Sequence, residues 1–166
     1  MEGKIVAVCT SKKKGTRKTR GSQGDIDVNF GLRGDAHADC ASHRQVSLLS
    51  TDSIEKMRKL GLEVGPGDFA ENLTIEGMDL VHIPVGTHVS AGDSAVLEIT
   101  QIGKECHTRC AIYHQVGQCA MPEEGVFARV LHGGVVRPGD TLRILGKDEQ
   151  PNQGSHTDTG LQAQSG

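Results

Sequence analysis

The chain has 166 residues and a mass of 17.6 kDa, the size of one domain whose core can do without metal or disulfide staples. One tyrosine, three phenylalanines and no tryptophan argue against a base-stacking nucleic-acid platform, which needs exposed rings, and no apolar run approaches the roughly 18 residues of a membrane span. The net charge of −3 is uneven: residues 12–20 (KKKGTRKTR) hold six basic residues and no acid, leaving 12 basic against 21 acidic residues elsewhere. Such a run suits a solvated loop or a phosphate clamp better than a broad nucleic-acid surface. The opening MEGKIVAVCTSKKK places its basic residues after the apolar stretch, the reverse of an export signal. The cysteine number, five, is odd. Reduced thiols in a cytoplasm are therefore expected.

In chain order, residues 4–10 (KIVAVCT) read as a first strand, and 25–30 (DIDVNF) alternates polar and apolar residues like a half-buried strand. Residues 45–50 (QVSLLS) predict a strand, and 51–60 (TDSIEKMRKL) a helix capped by Thr51 or Asp52 and stopped by Gly61. Beyond it, an apolar segment, Gly-Asp and another apolar segment recur three times, in LEVGPGDFAENLTI, VGTHVSAGDSAVLEIT and VVRPGDTLRIL. Gly-Asp supplies tight turns between short strands, so the pattern predicts a mainly β protein, a barrel or sandwich with a few short helices. Residues 104–114 and 122–132 read as short helices, the second opened by Pro122, Glu123 and Glu124. The polar stretch 147–166 reads as a disordered tail behind a domain spanning 1–146.

Two clusters carry chemistry. The first is Cys106-His107-x-x-Cys110-x-x-x-His114, followed by Cys119. On a helix, positions 106, 110 and 114 share a face, and two thiolates with an imidazole suit a soft metal such as zinc. Burial as plain apolar filler is the competing reading for Cys110 and Cys119. Lys104 and His107 flank Cys106, and positive charge there favours the nucleophilic thiolate. The second cluster is GLRGDAHADCASHRQVS, in which Asp35, His37, Asp39, Cys40 and His43 fall within nine residues, just before Arg44. Its spacing matches no standard metal site. The Arg44 fork could hold a phosphate or carboxylate, or simply pair with Asp35 or Asp39. HExxH, P-loop, GxSxG and CxxC motifs are absent from the sequence. GPGDFA fits G-x-G-x-x-A, but no βαβ pattern surrounds it.

The segments GLRGDAH, RQVSLLS, GDFAENLTIEG, VGTHVSAGDSAVLEITQIGKEC, MPEEGVFARVLHGG and PGDTLRI, taken in that order, resemble the MOSC domain, named for the C-terminal domain of molybdenum cofactor sulfurase. The resemblance runs from about residue 3 to 146 and is greatest to the short stand-alone bacterial type. It implies a MOSC-type β-barrel and a role around the molybdenum cofactor (molybdopterin). It also implies that Cys106 accepts sulfur as a persulfide from a pyridoxal-phosphate-dependent cysteine desulfurase, or ligates molybdenum as a thiolate. A basic residue at Arg44 fits a site for the pterin phosphate. Larger relatives carry a further N-terminal β-barrel domain with no counterpart in these residues, and the His107 and Cys110 neighbours are not general to the family.

The leading expectation is thus a cytoplasmic sulfur carrier, a possible sulfur transferase, or cofactor-handling protein in molybdenum cofactor maturation. Its partners would be a cysteine desulfurase as donor and cofactor-biosynthesis proteins or molybdoenzymes as acceptors. Cys106 would take the sulfur, Lys104 and His107 would keep it ionised, and Cys110 would release the sulfur, leaving a disulfide. Arg44, His37, Asp35, Lys12, Lys13 and Arg17 would hold the anionic cofactor. The alternatives are a cofactor-binding module without sulfur transfer, a component of a reductase of N-hydroxylated compounds, and a zinc-stabilised domain using Cys106, Cys110, His114 or Cys119.

Overall fold

The computed structural model describes residues 1–14, 16–103 and 123–146. The chain opens with β1 (Glu2–Thr10), whose buried Ile5, Ala7, Val8 and Cys9 come from the predicted apolar run. Next come the short strands β2 (Thr19–Gly21), β3 (Gly24–Asp27) and β4 (Gly31–Leu32), then β5 (Val46–Ser50). The helix α1 (Thr51–Lys59) follows at once. It is capped one residue earlier than expected: the Ser50 hydroxyl accepts the Ser53 amide N–H at 3.1 Å. Serine in an extended conformation is a strong cap, and here it ends the strand as well. Gly61, at φ 99°, terminates the helix as predicted, its N–H reaching Arg58 O at 2.9 Å.

The remaining strands are β6 (Leu73–Glu76), β7 (His88–Ala91), β8 (Ala95–Ile102), β9 (Val126–His132), β10 (Gly134–Val136) and β11 (Thr141–Ile144), with a 3-10 turn at Leu80–His82. Seven of them close into a barrel in the order β11-β7-β8-β9-β5-β6-β1, sealed by β1 pairing with β11. Neighbours are antiparallel except β5 and β6, which run parallel because α1 returns the chain to the same end. The expected mainly β barrel is therefore the observed fold. A small sheet, β10-β3-β4, lies beside it.

Side-chain alternation sorts the barrel wall. Val46 and Leu48 of β5, Leu73 and Ile75 of β6, and Val126, Ala128 and Val130 of β9 belong to the main core. Leu49 and Phe127 point the other way, packing with Ile54 and Met57 of α1 and with Phe69. Each fully buried aliphatic side chain contributes roughly 1.5–3 kcal/mol.

Three expectations are corrected. The helix expected over 122–132 is a strand from Val126: Glu123 and Glu124 are helical, but the chain extends after Gly125. The acidic helix-start signal there masks the period-two alternation of VFARV, whose Val and Phe fit a pleated wall. The strand expected over 25–30 stops at Asp27, because Asn29 adopts φ 49° at a hairpin tip. Of the three Gly-Asp segments, AGD joins β7 to β8 and PGD leads from β10 to β11, but GPGDFA is a loop outside any hairpin. The predicted helix 104–114 and the tail 147–166 lie outside the described residues.

Two features mark the wall where β8 ends. The β8–β9 register shifts between Ile99 and Gln101, leaving Thr100 as the extra residue, a bulge of the kind that re-aims a side chain. Beyond it, the Gly103 N–H donates to Gly125 O at 2.6 Å, so the chain before residue 104 and the chain after residue 124 are held together by a hydrogen bond.

Candidate functional site

A cleft of about 410 Å³ opens on the outer face of the barrel, lined by Lys14, His37, Asp39, Ser42, Arg44, Ser47, Phe69, Ala70, Asn72 and Phe127. Its floor comes from three adjacent strands. Ser47 of β5 is the register partner of Phe127 of β9, and Asn72 stands directly before β6. Outward-facing positions thus supply a hydroxyl, an amide and a ring where a barrel exterior would ordinarily carry solvated side chains.

The floor is rigid because its polar groups are paired. Asn72 Oδ1 accepts the Ser47 N–H at 2.9 Å, Ser47 Oγ accepts the Asn72 N–H at 3.0 Å, and Asn72 Nδ2 donates to Cys9 O at 3.1 Å. The Gly65–Ala70 wall folds around the fully buried Glu71. Its carboxylate accepts the Gly67 N–H at 3.0 Å, the Phe69 N–H at 3.2 Å and the Thr74 hydroxyl at 2.8 Å. Burial nevertheless pushes its pKa upward, against those hydrogen bonds.

The opposite wall is the loop 35–44. Buried Gln45 anchors its end, donating from Nε2 to Asn29 Oδ1 at 3.0 Å and accepting the Val130 N–H at 2.9 Å. Arg44 is exposed, its guanidinium carbon 5.9 Å from the centre of the Phe127 ring, a cation–π contact between two residues that line the cleft. His43 Nδ1 lies 2.9 Å from the Thr100 hydroxyl, so the β8 bulge ties this wall to the strand leading toward Cys106.

Beneath the loop lies an ion pair with no solvent exposure on either side chain: Lys18 Nζ to Asp35 Oδ1, 2.7 Å. Burial alone would raise the Asp35 carboxyl. The Lys18 hydrogen bond, the Ser11 N–H at 3.0 Å and the Lys18 charge together hold it below the usual carboxylate range. Removing one partner of such a pair leaves an uncompensated buried charge.

The structure brings some of the expected residues together and separates others. His37 and Arg44 line the cleft. Asp35 is buried with Lys18 and is not among the lining residues, so the pairing considered between Arg44 and Asp35 does not form. Asp39 accepts the Ala41 N–H at 2.8 Å. Lys12 and Lys13 are exposed and do not line the cleft; Lys14 does. Arg17 lies 3.7 Å from Asp68 and borders a separate depression beside Gly61–Val64. Lys104, Cys106, His107, Cys110, His114 and Cys119 lie outside the described residues. Among the described residues, no group of three or more His, Cys, Asp or Glu side chains is placed to hold a metal. No helix among them is long and apolar enough to cross a membrane.

Sequence reasoning missed Lys18, Ser47, Glu71 and Asn72. Lys18 is one of six similar cations in its run, and nothing local marks it for burial. Glu71 and Asn72 did leave a trace: two polar residues directly ahead of the apolar LTI.

The MOSC domain family model matches residues 28–143, and the chain belongs to the MOSC domain family. Solved structures share the fold. The YUAD protein of Bacillus subtilis superposes with a TM-score of 0.72 at 19% identity, covering 87% of this chain and 96% of that one. YiiM of Geobacillus stearothermophilus gives a TM-score of 0.65 at 19% identity, covering 87% and 76%. YiiM of Escherichia coli gives 0.61 at 18%, covering 89% and 71%. Among curated protein sequences, none matches significantly.

Proposed function

We propose that the outer-face cleft binds the phosphate-bearing molybdenum cofactor and that the protein handles this cofactor during its maturation, with Cys106 as sulfur acceptor. The observation that carries the reading is the convergence of Arg44, Lys14 and His37 in one cleft whose lining includes a single carboxylate, Asp39. Three donors around a floor that is itself hydrogen-bonded suit a phosphate. The volume falls within the roughly 300–1,000 Å³ usual for organic ligands. The residues present therefore fit the phosphate end of such a group. When bound, the cofactor supplies a redox-active molybdenum on a phosphorylated pterin.

Arg44 would bind the phosphate with its fork, Lys14 would add charge at the rim, and Phe69 and Phe127 would exclude water from one side. Cys106 follows Gly103 by three residues, a reach of at most about 11 Å of extended chain. As a carrier, the Cys106 thiolate attacks the outer sulfur of a desulfurase persulfide. The S–S bond breaks, the donor cysteine leaves as a thiolate, and the new persulfide forms on Cys106 with no net oxidation.

Two measurements test this. Equilibrium dialysis against cofactor released from a molybdoenzyme should show retention by wild type and about tenfold weaker retention by Arg44→Ala; equal retention sinks the cleft assignment. Intact mass after incubation with a cysteine desulfurase, cysteine and pyridoxal phosphate should rise by one reducible sulfur atom in wild type and not in Cys106→Ala. No gain in wild type, under conditions that load a known acceptor, leaves cofactor binding without sulfur transfer.

A further inference from the structure

Helix α1 and strand β2 each send an arginine toward the same residue. Arg58, in the last turn of α1, is held by two bonds: its Nε donates to Val64 O at 2.7 Å and its Nη1 to Glu55 Oε1 at 3.2 Å. Arg20, the register partner of Cys9, comes from β2 at the edge of the sheet. Both arginines are exposed. A Cβ on Gly65 would stand 3.6 Å from Arg58 Nη2 and 3.8 Å from Arg20 Nη2. The two cationic nitrogens therefore flank one point and lie less than twice 3.8 Å apart. That point is open because residue 65 has no side chain.

Like charges so placed repel unless a negative group lies between them. The nearby acids are engaged elsewhere. Glu55 takes Arg58 Nη1, while Asp68 accepts the Gly65 N–H at 2.8 Å and faces Arg17 at 3.7 Å. Among the described residues, neither the Arg20 guanidinium nor Arg58 Nη2 makes a hydrogen bond or ion pair. Glu63, exposed two residues before Gly65, is left to oppose an anion there. The glycine is not explained by the backbone: Gly65 avoids positive φ, and the position before Pro66 favours extended backbone in any residue.

We propose that Arg20 and Arg58 form a second anion site across Gly65, for the dianionic phosphoryl group of a small soluble phosphate. Guanidinium N–H groups pair with phosphate oxygens at about 2.7–2.9 Å, and a tetrahedral group can offer a different oxygen to each arginine. Arg58 is already fixed by Val64 and Glu55, so the cost of ordering falls mainly on Arg20. Gly65 belongs to the site because any side chain there would occupy the seat of the anion. Neither arginine lines the cleft, so this site stands whether or not the cleft holds the molybdenum cofactor.

The test is titration of Arg44→Ala protein with inorganic phosphate at low ionic strength, where exposed charges are least screened. Binding is followed through arginine Nε–Hε correlations, assigned by their loss in Arg20→Met and Arg58→Met. The Arg20 and Arg58 signals should shift to saturation, and sodium chloride at matched ionic strength should not reproduce the shift. Arg20→Met, at an exposed position without side-chain bonds, should weaken binding about tenfold. Gly65→Ala keeps both charges and should weaken it comparably. Gly65→Asp should abolish binding and raise the Tm by about 2–4 °C, the introduced carboxylate taking the place of the ligand. Unmoved signals, a shift matched by chloride, or unchanged affinity in Arg20→Met or Gly65→Asp overturns the site. If Arg58→Met unfolds through loss of its Val64 bond, Arg20→Met and the two Gly65 variants decide. Phosphate binding by Arg44→Ala identical to wild type, with these two signals moving, overturns the cleft reading and leaves this site standing.

Discussion

Ser47 and Asn72 exchange hydrogen bonds reciprocally: each side chain accepts the other's backbone N–H, at 2.9 Å and 3.0 Å. This joins the parallel strands β5 and β6 at the floor of the cleft, where a ladder bond alone would leave the outer face free to breathe. Asn72→Ala removes three side-chain bonds, those from the Ser47 N–H and hydroxyl and the one to the Cys9 carbonyl, and strands the Ser47 N–H and the Cys9 carbonyl. Urea unfolding should show a loss of about 2–4 kcal/mol. A loss below about 1 kcal/mol would mean that water replaces the amide and the floor is not rigid.

Gly67 and Gly34 both have positive φ, at 90° and 86°, yet only one is sterically locked. A Cβ on Gly67 would sit 2.3 Å from Lys18 O, whereas one on Gly34 meets nothing within 4 Å. Gly34→Ala should cost only the backbone penalty of about 1–2 kcal/mol. Gly67→Ala should cost more than about 3 kcal/mol, because the main chain of Lys18 must move as well. Thermal melts of the two variants side by side check the ordering.

Cys9 is fully buried, and burial, reinforced by the Glu71 charge, pushes its thiol up to about 12. Cys40 is exposed. Under native conditions iodoacetamide followed by peptide mapping should label Cys40 and spare Cys9, with both labelled in denaturant. Rapid native labelling of Cys9 would show that β1 opens locally.

The two buried carboxyls act on stability in opposite directions. Asp35 is held below its usual 3.8, so its contribution is present above that pH and lost as pH falls through the folded value. Glu71 is pushed above its usual 4.5, chiefly by burial. Its contribution is therefore full below 4.5 and lost as pH rises through the folded value. Urea unfolding across pH should show a wild-type stability that gains on acidification from neutral toward 4.5 relative to Glu71→Gln. Below 3.8, wild type should lose stability relative to Asp35→Asn. Parallel curves for wild type and either variant would mean that the carboxyl in question does not set the pH dependence.

Arg44 is exposed and stacks on one ring, so Arg44→Ala should cost at most about 1 kcal/mol of stability while weakening phosphate binding about tenfold. Arg44→Lys keeps the charge and loses the fork, and should fall between the two. Calorimetric titration with phosphate, paired with a thermal melt, separates the effects. A collapse in stability would mean that Arg44 holds the wall and not the ligand.

Much of the barrel is legible in the sequence because its strands obey simple rules. KIVAVCT and VSLLS combine β-branched and apolar residues between turn residues, and AGD and PGD turn the chain where Gly and Asp allow it. VFARVLH reads as helix because Pro-Glu-Glu ahead of it carries a helix-start signal; Glu123 and Glu124 are helical but the chain extends after Gly125, and local propensity cannot see the partner strands that take over. At the site, His37 and Arg44 stand out because a loop rich in polar residues carries function more often than a core does. Lys18 and Asp35 give no sign of being a pair, since only folding brings residues 18 and 35 into a dry interior. Asp35 therefore reads as a surface ligand when it is the buried partner of Lys18.

The hydrogen bond from Gly103 to Gly125 fixes how freely residues 104–124 can be exchanged. Where two ends are already held together by neighbouring strands, doubling the length between them adds only about 0.6 kcal/mol of closure entropy. Closure entropy therefore places little constraint on the length of that connection. A chimera carrying a short Gly-Ser bridge between Gly103 and Gly125 should keep the phosphate affinity proposed for the cleft and lose the sulfur uptake proposed for Cys106.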